Sequence, residues 1–270
     1  MTILKKFLLN FGRNAFLSLG TINYIVLLFN FLLKIKKIFQ LKKLTPLDNT
    51  FNKISINYNK KKYFINISKL NKLCSERDTF GLIREIFFRN VYLKNFNVSN
   101  FNKFICIDLG SNRGIFSLMA SKIFKTVICV ELQSKYNKCV HEIMLSNHQK
   151  NYKIINGVIG ELGMNISNKL EFSQNKIDIN QLIKNEADKH KVFLKIDIEG
   201  GEFKLFEEIN LDLVEAISME LHKGGDIEYI LDKIKNKNFF IECFNDQLEK
   251  INYQSSTITF IKARKIINYY

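Results

Sequence analysis

The sequence of 270 residues is poor in residues that break or constrain a chain: it has one proline, no tryptophan and 12 glycines. So little proline and glycine excludes collagen-like and low-complexity proteins. Hydrophobic residues make up 46% of the chain, which is enough for a sizeable core and excludes wholesale disorder. The length fits one domain or two. We therefore expect a globular protein.

Cysteine patterns typical of metal or disulfide sites are also missing. The five cysteines are an odd number without CxxC spacing, and Cys106 and Cys129 lie in apolar runs where a thiol is usually a small core residue. No histidines have the HExxH spacing of a helical zinc site. We expect no disulfide framework, no metal site and a reducing compartment, the cytoplasm.

Acidic residues are nearly absent from the first 75 positions. That segment contains 14 basic residues and one acid, Asp48, and so carries +13 of the formal net charge of +15. A large positive charge is typical of nucleic-acid binding. Because residues 76–270 carry only +2, the excess belongs to an N-terminal arm, and nucleic acid is not the expected partner.

The arm contains an uncharged apolar run, residues 14–33, with basic residues on both sides. Such a run can span a bilayer, lie on an anionic membrane surface, or pack as a soluble helix on its own domain. Both flanks are basic, so charge does not predict an orientation. We expect residues 1–47 to form a basic, apolar helical arm, and residues 1–45 to contact the cytoplasmic face of an anionic membrane, peripherally or as an anchor.

The remainder, residues 48–270, is predicted to be the main domain. Residues 51–67 alternate apolar and polar side chains, which predicts a β-hairpin. From residue 104 onward, strands alternate with helices, which is typical of a largely parallel sheet with right-handed crossovers. We expect residues 104–270 to form an α/β, Rossmann-like core of seven strands with helices on both faces. The last two strands have no helix between them, so one of them should run antiparallel.

The first core strand ends in a glycine turn that predicts a ligand site. Asp108 ends the strand, Gly110 permits a tight turn, Asn112 follows, and Gly114 allows close backbone approach where the next helix starts. Ligands of open α/β sheets bind at the carboxyl ends of the strands. The turn is neither GxGxxG nor a P-loop. A carboxylate here suits a ligand with a cationic or neutral centre better than a pyrophosphate.

Two further strands end in residues suited to a nucleoside. Glu131 ends the second strand, where an acid can accept hydrogen bonds from both ribose hydroxyls. Asn156 ends the third strand and is a candidate for the adenine pocket. We predict that both residues bind a nucleoside-containing cofactor.

The fourth strand carries charge at alternate positions. Lys195, Asp197 and Glu199 share one face, and buried charges are costly unless they are paired or used. We predict catalytic roles for Asp197 and Glu199, with Lys195 positioning them. His222 closes the fifth strand and is the candidate proton acceptor. A divalent cation could also be held by Asp197, Glu199, Glu220 and His222, although we expect none.

The sequence resembles the FkbM-type methyltransferases, a branch of the class I S-adenosylmethionine-dependent enzymes, over about residues 78–222. The matching blocks are ICIDLGSNRGIFSLMA, VICVEL, LKIDIEGGEFKLFEEI and ISMELH. The first block is shared by many methyltransferases, and the third is the most specific. Ser111 and Leu132 depart from the family's usual alanine and proline.

The resemblance implies S-adenosylmethionine as cofactor, held by Asp108, Gly110, Asn112, Gly114, Glu131, Asn156 and Asp197. It also implies methyl transfer to an oxygen, the acceptor being a hydroxyl of a sugar, a glycan or a related metabolite. One alternative is an RNA or protein methyltransferase that uses the basic arm for its substrate. Another is a non-catalytic membrane or scaffold module with the same fold.

Overall fold

The computed structural model describes residues 7, 10–159, 175–187, 190–255 and 257–266. Lys5 and Lys6 of the predicted arm, and Gly160 and Ser256 of the predicted core, lie outside the described residues.

The arm forms a helix of 29 residues, α1 (Arg13–Leu41). Gly20 interrupts its helical dihedrals (φ 71°, ψ 169°), so the helix is kinked at a residue without a side chain to strain. After α1 ends, Pro46 lies in a short 3-10 turn, Thr45–Leu47. Leu27 and Ile38 are fully buried, and the helix packs on the hairpin that follows.

The predicted hairpin is confirmed as β1 (Ile54–Tyr58) paired antiparallel with β2 (Lys61–Ile65). Asn59 and Lys60 join them, and both have positive φ, 49° and 59°. Two such residues are typical of the type I′ turn, whose twist matches that of the strands.

Two short helices connect the hairpin to the main sheet: α2 (Ile67–Cys74) and α3 (Thr79–Ile83), which continues as a π-helical segment, Arg84–Arg89. A 3-10 segment, Val98–Lys103, precedes the first core strand. Asp78 directly precedes α3, but its side chain makes no capping hydrogen bond to that helix. Its carboxylate instead pairs with Arg113, at 2.5 Å.

The central sheet contains eight strands among the described residues, in the order β5-β4-β3-β6-β7-β10-β8-β9. The strands are β3 (Phe104–Leu109), β4 (Thr126–Glu131), β5 (Tyr152–Asn156), β6 (Lys191–Ile196), β7 (Val214–Glu220), β8 (Phe239–Phe244), β9 (Lys250–Ile251) and β10 (Phe260–Lys265). The first five in this order are parallel, and β10 runs antiparallel to both of its neighbours, as predicted. The prediction of seven strands is wrong by one, because a two-residue strand such as β9 shows no periodicity in sequence.

Helices cover both faces of the sheet. They are α4 (Ile115–Ser121), α5 (Ser134–Ser146), α6 (Ile179–Ala187), α7 (Glu202–Glu208) and α8 (Ile227–Lys235). Side chains alternate along each strand: Cys106 packs with α4 and α5 on one face, whereas Ile107 packs with α6 to α8 on the other. The carboxyl ends of the parallel strands β3, β4, β6 and β7 therefore meet along one edge.

Candidate active site

The turn after β3 brings two strands unusually close together. Gly110 has φ 75°, and a Cβ placed on it would lie 1.8 Å from the carbonyl oxygen of Asp197, at the end of β6. Gly114, also at positive φ, starts α4, and its Cβ would lie 3.0 Å from the Cα of Val140 in α5. Any side chain at Gly110 would therefore force β3 and β6 apart.

The side chain of Glu131, at the end of β4, binds the backbone of the same turn. Its carboxylate accepts hydrogen bonds from the N–H groups of Asn112 (2.8 Å) and Gln133 (2.7 Å). Burial raises the pKa of Glu131 to about 7, and the two hydrogen bonds only partly oppose this shift. Each carboxylate oxygen keeps a free acceptor direction, and Glu131 lines the adjoining cleft.

This cleft opens at the strand ends, and its empty space of about 820 Å³ includes the solvent at its mouth. Its polar side chains are Asn112, Glu131, Gln133, Asp197 and Glu199, and its apolar wall includes Leu132, Val158 and Ile159. The cleft therefore has one apolar wall and two separate acidic positions, on β4 and after β6.

Beneath the cleft, a buried ammonium group connects β6 to the glycine turn. Lys195 Nζ donates to the carbonyl of Gly110 (2.8 Å) and forms an ion pair with Asp108 at 3.0 Å. Burial lowers the pKa of Lys195, but Asp108 and Asp197 outweigh that effect and raise the pKa above its ordinary value. Asp108 also accepts from Ser117 Oγ (2.5 Å), is fully buried and does not line the cleft. Asp108 therefore stabilises the turn from below.

Tyr92 is a residue of this site that sequence reasoning missed. Its hydroxyl lies 2.7 Å from Asp197 Oδ2 and 3.3 Å from Glu220 Oε2. Burial raises the pKa of Tyr92 well above its ordinary value, so the phenol keeps its proton and donates it. Burial, together with Asp197 and Glu85, also raises the pKa of Glu220, to about 8. No local pattern marks Tyr92, because it precedes Asp197 by 105 positions.

His222 lies next to these carboxylates and is held by a buried one. Its Nδ1 is 2.8 Å from Glu202 Oε1, and its Nε2 is 3.5 Å from Glu199 and 3.9 Å from Asp197. The hydrogen bond to Glu202 and the surrounding carboxylates raise the pKa of His222 to about 9, against the effect of burial. The ring is therefore a cation at neutral pH in this structure, and it can accept a proton only after losing one.

The same side chains could hold a metal ion. Ligand atoms of Asp197, Glu199 and His222 all lie within 4.8 Å of one another, and carboxylate with imidazole suits several divalent metals. The protonated ring offers no lone pair, so a metal would have to displace the proton from Nε2.

The predicted residues other than His222 thus fall into two groups. Five of them line the cleft: Gly110, Asn112, Glu131, Asp197 and Glu199. Three support it from behind or from the side: Asp108, Gly114 and Asn156. The amide of Asn156 donates to the carbonyls of Glu131 and Leu132, at 3.0 Å each, rather than into the cleft.

Comparison with known proteins finds similarity only among solved structures. No protein-family profile matches the chain, and no curated protein matches it. TYW2 of M. jannaschii in complex with AdoMet is 11% identical, with a TM-score of 0.41, over 80% of this chain and 87% of that one. Precorrin-6y C5,15-methyltransferase of Geobacter metallireducens is 10% identical, with a TM-score of 0.37, over 63% and 84%. An rRNA methylase of Streptococcus thermophilus is 12% identical, with a TM-score of 0.37, over 62% and 89%. Because these TM-scores are below 0.5, we base the function on the site itself.

Proposed function

We propose that the protein is an S-adenosylmethionine-dependent methyltransferase of the FkbM type, which transfers a methyl group to a hydroxyl of a sugar, a glycan or a related metabolite. The observation that carries this proposal is the cleft at the ends of β3, β4 and β6. There a glycine leaves no room for a side chain, and an acid stands at each of two separate positions.

The residues of the cleft fit this cofactor. Glu131 has free acceptor directions for two ribose hydroxyls, and Leu132, Val158 and Ile159 offer an apolar wall for the adenine. The carboxylates of Asp197 and Glu199 also line the cleft and would attract the cationic groups of the cofactor. When bound, S-adenosylmethionine supplies an electrophilic methyl group on a positively charged sulfur.

The chain must then orient the acceptor hydroxyl and take its proton. The Glu202 hydrogen bond, the largest cause of the raised pKa of His222, stays in place, whereas a positive group held at Asp197 and Glu199 would remove their smaller contribution and lower that pKa from about 9. We expect His222 Nε2 to release its proton as the site fills and then to accept the proton of the hydroxyl. Tyr92 fixes the Asp197 carboxylate through its 2.7 Å hydrogen bond and so positions the hydroxyl in line with the methyl group.

Calorimetric binding of S-adenosylmethionine and its demethylated product to the folded protein tests the cofactor. We expect both to bind, and Glu131→Gln to weaken binding at least about tenfold, since each such hydrogen bond to a charged group contributes about 1.5–3 kcal/mol. Glu207→Gln, an exposed acid of α7 paired with Lys204, is the matched control and should bind normally. Absence of binding to folded wild-type protein would overturn the proposal.

Transfer of a labelled methyl group to fractionated cell extract tests the acceptor and the base. We expect label in hydroxyl-bearing glycans or metabolites, and His222→Gln should bind the cofactor at least as tightly as wild type while slowing transfer by about 10²-fold. Label in RNA or protein would favour the alternative substrates. Loss of transfer with a chelator and recovery with Mg²⁺ would assign the cluster of Asp197, Glu199 and His222 to a metal instead of a base.

A further inference from the structure

The outward face of α1 carries a continuous row of large apolar side chains, which we call the apolar ridge. Its members are 58% to 79% exposed: Ile22, Ile25, Phe29, Leu32 and Leu33. Their spacing of three, four, three and one residues places them on one side of a helix. Exposed apolar patches of this extent mark interaction surfaces.

Composition and burial together distinguish α1 from an ordinary core helix. Within the described residues it is the one helix long and apolar enough to cross a membrane, with a mean hydropathy of 1.9 over 18 residues. A core helix also passes that test but is buried, whereas only 17% of this window is buried. The ridge therefore requires a cover that the described part of the chain does not provide.

We propose that α1 lies in the plane of an anionic bilayer, with the apolar ridge in the acyl region, and that the methyl acceptor is carried by this membrane. The second half of the proposal rests on the proposed methyl transfer, and the first half does not.

Charge selects an anionic membrane as the occupant. Residues 1–47 contain no acid, and five lysines lie between positions 34 and 43, at the end of α1. The first acid of the chain, Asp48, is buried and paired with Arg84 at 2.6 Å, so it does not neutralise them. Anionic lipids contribute about 1 kcal/mol for each nearby lysine. A second copy of the chain would bring like charges together instead.

Packing favours a helix in the membrane plane over a spanning one. The side of α1 opposite the ridge contacts β1 and the π-helical segment, with Leu27 and Ile38 fully buried and the Asn14 amide bonded to the carbonyl of Phe88 (3.2 Å). A spanning α1 would have to break these contacts or carry the hairpin's polar edge into hydrocarbon, where unpaired backbone groups are costly.

The position of the active site connects this surface to the acceptor. On one side, the segment 84–89 packs on α1, and the Arg84 guanidinium lies over the ring of Phe11, just before α1, at 5.7 Å. On its other side, Glu85 and the neighbouring Tyr92 line a small recess with Asp197. The segment 84–89 and α1 thus both lie between the catalytic carboxylates and the apolar ridge, a separation of about two helix diameters, ~20 Å, which a hydroxyl on an extended headgroup or a lipid-linked glycan can span.

An introduced tryptophan reports the depth of each position, because the chain has no other. Ile22→Trp and Leu33→Trp lie 11 residues apart, or ~16 Å along a helix, and both project from the ridge. With vesicles of phosphatidylcholine and phosphatidylglycerol containing brominated lipids, an in-plane helix gives blue-shifted emission and equal quenching depths for the two variants. Depths that differ by roughly the full ~16 Å would show a spanning helix and overturn the proposal.

Vesicle co-sedimentation tests the ridge and the charge. We expect wild type to bind the anionic vesicles at least tenfold more tightly than pure phosphatidylcholine, and Phe29→Ser with Leu33→Ser to lose at least tenfold. The matched control is Leu145→Ser with Leu213→Ser, two exposed leucines elsewhere, which should bind normally. All variants should keep cofactor affinity, which separates this test from that of the proposed function. Binding of the ridge variant to vesicles as tight as that of wild type would overturn the proposal that the ridge binds membranes. So would a wild-type dimer that dissociates in the ridge variant.

Methyl transfer then tests the acceptor. Labelled S-adenosylmethionine is supplied with wild-type protein and either a washed membrane fraction or the soluble fraction of the same cells. We expect the label in the membrane fraction, and the ridge variant to lose most of that transfer while its cofactor affinity is unchanged. Label only in soluble molecules would overturn the membrane-borne acceptor, even with vesicle binding intact.

Discussion

Gly110→Ala should damage the cofactor site far more than Gly200→Ala, although both glycines have a positive φ. Gly110 has φ 75°, and its added Cβ would lie 1.8 Å from the Asp197 carbonyl oxygen. Gly200 has φ 97°, and a Cβ there would have no atom within 4 Å. The two variants share the cost of positive φ, about 1–2 kcal/mol, and differ in the steric overlap.

The overlap cannot be relieved by a side-chain movement, because the obstructing atom belongs to the backbone. Since real Cβ contacts do not fall below 3.0 Å, the end of β3 or β6 must retreat by more than 1 Å. The same movement displaces Asp197 relative to the turn and stretches the 2.8 Å bond from Lys195 to the carbonyl of Gly110. We expect S-adenosylmethionine affinity to fall about tenfold to a hundredfold, or ~1.4–2.7 kcal/mol.

Isothermal titration calorimetry and thermal unfolding, measured for both variants, separate the two effects. Gly200→Ala should lower stability by about 1–2 kcal/mol and leave the dissociation constant nearly unchanged. Gly110→Ala should lower stability further and weaken binding. A Gly110→Ala protein that binds the cofactor as wild type does would refute the close approach of β3 and β6.

Three further outcomes follow from the charges. Lys195→Met removes the ion pairs of Asp108 and Asp197 and should lower the free energy of unfolding by about 3–5 kcal/mol, measured by denaturant unfolding. Lys191→Met, at the exposed start of the same strand, should change that free energy by less than about 0.5 kcal/mol. Cofactor affinity should rise about tenfold per pH unit up to the Glu131 pKa of about 7 and then level off, because only the carboxylate accepts two hydrogen bonds; Glu131→Gln should remove this dependence. Glu202→Gln should lower the pKa of His222 from about 9 towards 6.5, followed by NMR titration. Because the folded-state pKa of His222 is raised, the stabilisation that His222 gives the folded protein is present below pH 6.5 and lost by pH 9. The unfolding temperature of Glu202→Gln should therefore vary less across that window than that of wild type. An unchanged His222 pKa in this variant would contradict the role of Glu202.

Local patterns were enough to predict most of the architecture. Alternation gave the hairpin, and buried apolar runs followed by helical spacing gave the order of the core elements. The absence of a helix before β10 predicted its antiparallel direction. These properties depend on neighbours within a few residues of one another, which is the range over which a sequence pattern reports structure.

The details of the site depend on contacts between distant segments, and these were not predictable. Tyr92 reaches Asp197 from before the first core strand, and Asp108 turned out to face Lys195 beneath the turn rather than the cleft. The raised pKa of His222 depends on Glu202, a buried acid in the first turn of α7. Burial and ion pairing of this kind arise only when the sheet assembles.

The hydrogen bond from Lys195 to the carbonyl of Gly110 also bears on how this protein can be redesigned. The glycine turn after β3 and the KIDIEGGE segment at the end of β6 are far apart in sequence but pack as one unit. Lys195 of the segment bonds to the turn, and Gly110 of the turn leaves the space that the Asp197 carbonyl occupies. A chimera that receives only one of these two segments would lose the close packing between them. The smallest transplantable cofactor module of this protein is therefore the pair of strands β3 and β6 with both of their turns.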